Sequence, residues 1–160
     1  FFFFYINASL VLAIPSFELK TELARNVLPD HYTRPIATQA SASANLLVAA
    51  FLSQSFEQAG IYMEEDLFHE PYRLDLIPHS RALKIAAKKA GAFGTCISGA
   101  GPTLLSLVQK GKEMEFISQM KDSFPSFEFV PTSINKTGIV SLKQKPSKEV
   151  SKRPPQLSSI

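Results

Sequence analysis

The chain has 160 residues and a mass of 17.7 kDa, the size of one ordinary domain with one hydrophobic core. An apolar share of 45% against 19% charged residues excludes an intrinsically disordered chain, and a single cysteine excludes a disulfide framework and a Cys-based zinc site. No uninterrupted apolar run reaches the length of a bilayer span, so no membrane segment is expected. The net charge of +3 is unevenly placed: Lys143, Lys145, Lys148, Lys152 and Arg153 stand against Glu149 alone in the last stretch, so the basic character belongs to a tail and the rest is nearly neutral.

Phe1 to Phe4, Tyr5 and Ile6 open the chain with no initiator Met, no basic n-region and no clear cleavage site, which does not describe a signal peptide. Residues 1–8 are read as an atypical run, and the abrupt start as that of a product lacking its N-terminal half. The β-rich segment from Ser9 through Leu-Val-Leu-Ala-Ile to Pro15 predicts a buried strand. Ser16 as N-cap, with Leu19, Leu23 and Val27 at helical spacing and Pro29 beyond, predicts a helix. Ile36 to Ala59 has no Pro or Gly and predicts one long, largely buried helix, continued by Ile61 to His69 after a kink at Gly60 and ended by Pro71.

Pro78 suits the first turn of a further helix with Leu83, Ile85, Ala86 and Ala87 inward, Lys84, Lys88 and Lys89 as its wet side, and Gly91 as its stop. Phe93–Ser98 and Thr103–Val108 predict two strands of a hairpin around the tight turn Gly99-Ala100-Gly101-Pro102. A helix over 112–123 and strands over 127–130 and 133–142 complete the pattern. The order argues an α+β fold, a small antiparallel sheet with helices packed on one face and a ferredoxin-like unit around the hairpin. The domain is expected to cover residues 1–142, followed by a solvated, disordered Ser/Pro/Lys-rich tail over 143–160.

Two segments could carry chemistry. In the run from Gly94 to Thr103, Gly99 and Gly101 bare the backbone on both sides of Ala100, and Ser98 and Thr103 add hydroxyls. Such amides can form an anion-binding nest; a tight turn with no ligand is the other reading, and composition does not separate them. Ala100 replaces the lysine of a P-loop, and Leu104 the third glycine of a dinucleotide fingerprint. In the run from Asp66 to His79, Arg73 is a candidate clamp for a carboxylate or phosphate, or else an exposed cation paired loosely with Asp75 or Glu70. Pro71 and Arg73 break the His69-Glu70 start of a zinc-protease motif, so no metal ligands are expected, and Cys96 reads as a core filler.

The run Phe93-Gly-Thr-Cys-Ile-Ser-Gly-Ala-Gly-Pro-Thr-Leu-Leu-Ser-Leu107 resembles the third signature motif of the GHMP kinases. Ile14-Pro15-Ser16-Phe17-Glu18-Leu19 with Thr21 and Ala24-Arg25, Leu28-Pro29 before the Ala/Ser-rich stretch around Asn45, His69-Glu70-Pro71-Tyr72-Arg73 and Leu76-Ile77-Pro78-His79 are similar to the homoserine kinase branch, so that the likeness runs from Val11 to Val130. It implies a GHMP kinase C-terminal domain and an ATP-dependent, Mg2+-assisted phosphorylation of the L-homoserine hydroxyl in cytoplasmic threonine biosynthesis. It also implies Arg73 as a substrate ligand, and Ser98, Gly99, Ala100, Gly101 and Thr103 as a phosphate-site loop; no catalytic residue is assigned.

Departures set the alternatives. No Pro-x-x-x-Gly-Leu-Gly-Ser-Ser-Ala-like loop is present, and Gly138-Ile139-Val140 lacks the family's following Arg. The chain alone is therefore expected to be inactive without an N-terminal half or another chain, and an exposed apolar face should favour a homo-oligomer. The rival expectation is a non-catalytic interaction module. Nucleic acid binding through the tail is the weakest alternative, and neither it nor membrane binding is expected.

Overall fold

A computed structural model describes residues 7–133. The aromatic opening, the strand expected over 133–142 (all but Ser133, which lies outside any strand) and the basic tail fall outside the described residues.

Strand β1 (Ala8–Pro15) is followed by helices α1 (Thr21–Asn26), α2 (Arg34–Leu52), α3 (Phe56–Met63) and α4 (Glu70–Arg73), a 3-10 turn over Leu74–Leu76, and α5 (Ser80–Lys89). The hairpin β2 (Gly94–Ile97) and β3 (Leu104–Gln109) comes next, then α6 (Glu113–Lys121) and β4 (Phe127–Thr132). The sheet is antiparallel throughout in the order β2-β3-β1-β4. This is the split βαβ arrangement expected of a ferredoxin-like domain.

Register explains how the core is shared. Val11 lies opposite Ser106 and Ala13 opposite Leu104, and with Val108 these residues turn one face toward Leu83 and Ala87 of α5 and Phe116, Ile117 and Met120 of α6. That face carries helices as predicted. Leu10, Leu105 and Leu107 have the opposite parity, and they pack with Leu47, Ala50 and Phe51 of α2 and Phe56, Ala59 and Met63 of α3. The α2–α3 pair therefore reaches round the sheet, so helices are not confined to one face. Close approach is permitted by two glycines: a Cβ on Gly60 would stand 2.0 Å from the Phe93 carbonyl oxygen, and one on Gly94 2.2 Å from that of Gly60.

Several expected boundaries move. Ser16 lies in a bend, and α1 begins only after Lys20. The long helix breaks at Ser53–Ser55, where Gln54 takes φ 59° and Ser55 N–H donates to the Ala50 carbonyl, and Gly60 sits within α3 without a kink. Pro71 starts α4 instead of ending a helix, because its missing N–H costs nothing in a first turn. Nor is α2 largely buried: Ala40, Ser43 and Ala50 are buried, whereas Val48 and Leu52 are 58% and 63% exposed. With 19 residues and a mean hydropathy of 1.3, α2 is long and apolar enough to cross a bilayer by length and composition. Counting uninterrupted apolar runs missed this because Thr38, Ser41 and Asn45 punctuate it. Core helices of other proteins meet the same measure, and Ser43 ties α2 to the Glu65 carboxylate at 2.8 Å.

Candidate functional site at the glycine turn

The β2–β3 turn closes on itself. Ser98 N–H donates to the Thr103 carbonyl at 2.8 Å and Gly101 N–H to the Ser98 carbonyl at 3.0 Å. Gly99 and Gly101 take φ 60° and 86°, and the Gly101–Pro102 peptide is cis. A side chain at Gly101 would be strained by that φ and would press on Ile77 Cδ1 at 3.2 Å and Ile97 Cγ2 at 3.3 Å. Among the described residues the amides of Gly99 and Ala100 donate to no protein acceptor. The turn thus satisfies its own geometry with these two donors left over.

Arg73 is 8% exposed, and it is not the loose surface cation of the alternative reading. Nε donates to the Ala24 carbonyl at 2.8 Å and Nη1 to the Gly99 carbonyl at 3.2 Å. It therefore bolts the end of α1 to the glycine turn. Neither Asp75 nor Glu70 holds it: Asp75 pairs with Arg81, and Glu70 with Lys84. Lys84 is thus no member of a wet helix side but half of a largely buried ion pair.

Arg73, Asp66, His69, Glu70, Cys96 and Gly99 line a cleft of about 440 Å³ together with Met63 and Ile97. Asp66 organises its rim. One carboxylate oxygen accepts Phe68 N–H at 2.9 Å and His69 N–H at 3.2 Å, and the other accepts Glu70 N–H at 3.0 Å. Burial opposes this charge, but the amides of Phe68 and Glu70 and the neighbouring His69 outweigh it and hold the carboxyl below its ordinary value. Glu70 goes the other way: burial raises its pKa despite Lys84. Burial also pushes the Cys96 thiol up to about 12, with the Glu70 charge adding to it, which leaves no reactive thiolate at neutral pH.

Of the residues singled out from sequence, the structure joins Arg73 to Gly99 directly. It places Ser98, Ala100, Gly101 and Thr103 in the same turn, without lining the cleft. Asp66 and Lys84 were not anticipated. Asp66 accepts from the amide two residues on, an Asx turn that aspartate favours and that could have revealed the first; the Lys84 partner is set by tertiary packing alone. The cleft acids are already engaged, and among the described residues no group of three or more His, Cys, Asp and Glu could hold a metal ion.

The family model for the C-terminal domain of GHMP kinases matches residues 47–126, half of the chain. The homoserine kinase of Oceanobacillus iheyensis is 54% identical over 106 residues, 66% of this chain and 36% of that protein. That of Bacillus licheniformis is 41% identical over 135 residues, 84% of this chain and 44% of that protein. A crystal structure of homoserine kinase from Cytophaga hutchinsonii superposes with a TM-score of 0.76 at 29% identity, covering 82% of this chain and 43% of the other. The chain thus spans less than half the length of these relatives. A split βαβ sheet whose hairpin carries the glycine turn, matched over half its residues by one family model, makes this chain a member of the GHMP kinase family, as its C-terminal domain.

Proposed function

We propose that this chain supplies the C-terminal part of an ATP-dependent homoserine kinase, a phosphotransferase acting on the side-chain hydroxyl of L-homoserine in threonine biosynthesis in the cytoplasm. The observation that carries the reading is 54% identity to a homoserine kinase over 106 residues. The γ-phosphoryl group would pass from ATP to the hydroxyl oxygen, with ADP leaving and the hydroxyl proton lost. Such transfer depends on positioning and charge neutralisation more than on covalent chemistry.

In this reading Arg73 keeps Nη2 for the substrate carboxylate while Nε and Nη1 hold the protein. Gly99 and Ala100 turn their amides to a phosphoryl oxygen, with Ser98, Gly101 and Thr103 shaping the loop. ATP, and the Mg2+ that travels with it, would be held largely by the portion of the relatives that this chain does not span. The 160-residue chain alone is then inactive. The exposed apolar side of α2 at Val48 and Leu52, one turn apart, favours burial against that portion or in a homo-oligomer. The same exposed side supports a second reading, a non-catalytic interaction module.

Titration of the 160-residue chain with L-homoserine, followed by amide NMR, tests the site, and a coupled ADP-release assay with MgATP tests turnover. The kinase reading expects saturable shifts at Arg73, Gly99 and Ala100 and no ADP release. Shifts absent from the turn would refute the substrate site, and homoserine-dependent ADP release by the chain alone would refute the need for a further portion.

A further inference from the structure

A second cavity of about 610 Å³ lies on the outer flank of α5, within the ~300–1,000 Å³ usual for small-molecule sites. Arg81, Lys84, Ile85, Lys88 and Lys89 of α5 line it together with Leu74 and Glu64. It shares no lining residue with the Arg73 cleft, although the Lys84–Glu70 pair has one member in each.

The charge at its rim is not fully cancelled. Glu64, the acid in the lining, keeps its charge while accepting from the Thr95 amide at 2.7 Å, and so offsets one of the rim cations. Asp75 neutralises Arg81 at 3.0 Å, and Glu70 neutralises Lys84. Lys88 Nζ reaches the Phe93 carbonyl at 2.7 Å, which leaves its charge intact. Lys89 meets no acid among the described residues. Cations suit the last turn of a helix, which accounts for the two lysines but not for what lies beside them. Ile85 is 61% exposed on an otherwise charged helix face, next to buried Leu74. An apolar floor under a cationic rim is complementary to an anion with an apolar body.

We propose that this cavity is a binding site for a small amphiphilic anion, its carboxylate or phosphate head on Lys88 and Lys89 and its apolar body over Ile85 and Leu74. The proposal stands independently of the kinase reading. Its test is an amide NMR titration of the 160-residue chain with hexanoate and hexyl phosphate, with acetate and hexanol as controls. Hexanoate or hexyl phosphate, whichever head the site prefers, should shift the amides of residues 81–89 saturably and bind roughly tenfold or more tighter than either control, since each supplies only half the complementarity. Lys89→Glu and Ile85→Ser, both at exposed positions, should each weaken binding several-fold with unchanged thermal melts, whereas Leu46→Ser on α2 should not. Hexanol binding as tightly as hexanoate, shifts confined to α2, or indifference to Lys89→Glu would overturn the proposal.

Discussion

Replacing Arg73 by Met keeps the apolar stem and removes the guanidinium. Two carbonyls then lose their donor: that of Ala24, a fully buried residue, at 2.8 Å, and that of Gly99 at the cleft mouth, at 3.2 Å. Hydrogen bonds to charged groups contribute about 1.5–3 kcal/mol each, and an orphaned buried acceptor keeps its desolvation cost. The shorter, drier contact belongs near the top of that range and the longer one near the bottom, for a sum of about 3–5 kcal/mol. A domain of this kind has only ~5–15 kcal/mol in hand, so the urea midpoint should fall steeply at unchanged slope. Arg73→Lys keeps a charge but cannot span both carbonyls, so it should recover less than half of the loss. Amide exchange at Gly101, whose N–H closes the glycine turn, should quicken in both variants. A loss below about 1 kcal/mol in Arg73→Met would refute the account of Arg73 as the bolt between α1 and the turn.

Gly60→Ala places a Cβ against the Phe93 backbone; overpacking of this kind costs about 1–3 kcal/mol or more, and thermal denaturation should show a clear drop with α3 detached from β2. The amides of Phe68 and Glu70 and the neighbouring His69 hold the Asp66 carboxyl below its ordinary value against the opposing effect of burial, so the unfolded chain binds the proton first, and the stabilisation is whole above the unfolded value and is lost as pH falls through the lowered native one. Asp66→Asn should remove that part of the acid dependence, seen as a shallower fall in urea midpoint below the unfolded value. Val48→Lys with Leu52→Lys should reduce concentration-dependent association in sedimentation velocity, because both side chains lie on the exposed apolar side of α2; an unchanged profile would exclude that surface as the contact.

Much of the site was legible because it is local. Gly99 and Gly101 flank a turn that needs positive φ, and the strands on either side are short, largely apolar runs, as a hairpin covered on both faces requires. Arg73 was legible as a candidate but not in its posture, since its partners lie 49 and 26 residues away in the chain. Nothing in residues 70–79 announces that the guanidinium will be buried against two carbonyls. The burial of α2 was misjudged for a related reason: small and apolar residues describe a helix that wants cover, and not whether this chain provides it.

Local chemistry in the sequence determined the hairpin, the glycine turn, the helix-stop glycine and the likeness to the GHMP kinases, because each depends on neighbours within a few residues. Only the tertiary structure decided the break at Gln54, the approach of Gly60 to Gly94, the Asp66 clamp on α4 and the Glu70–Lys84 pair. These depend on which distant groups the packed sheet brings within a few ångströms, where a buried acceptor or charge must find a partner or lose its hydration without return.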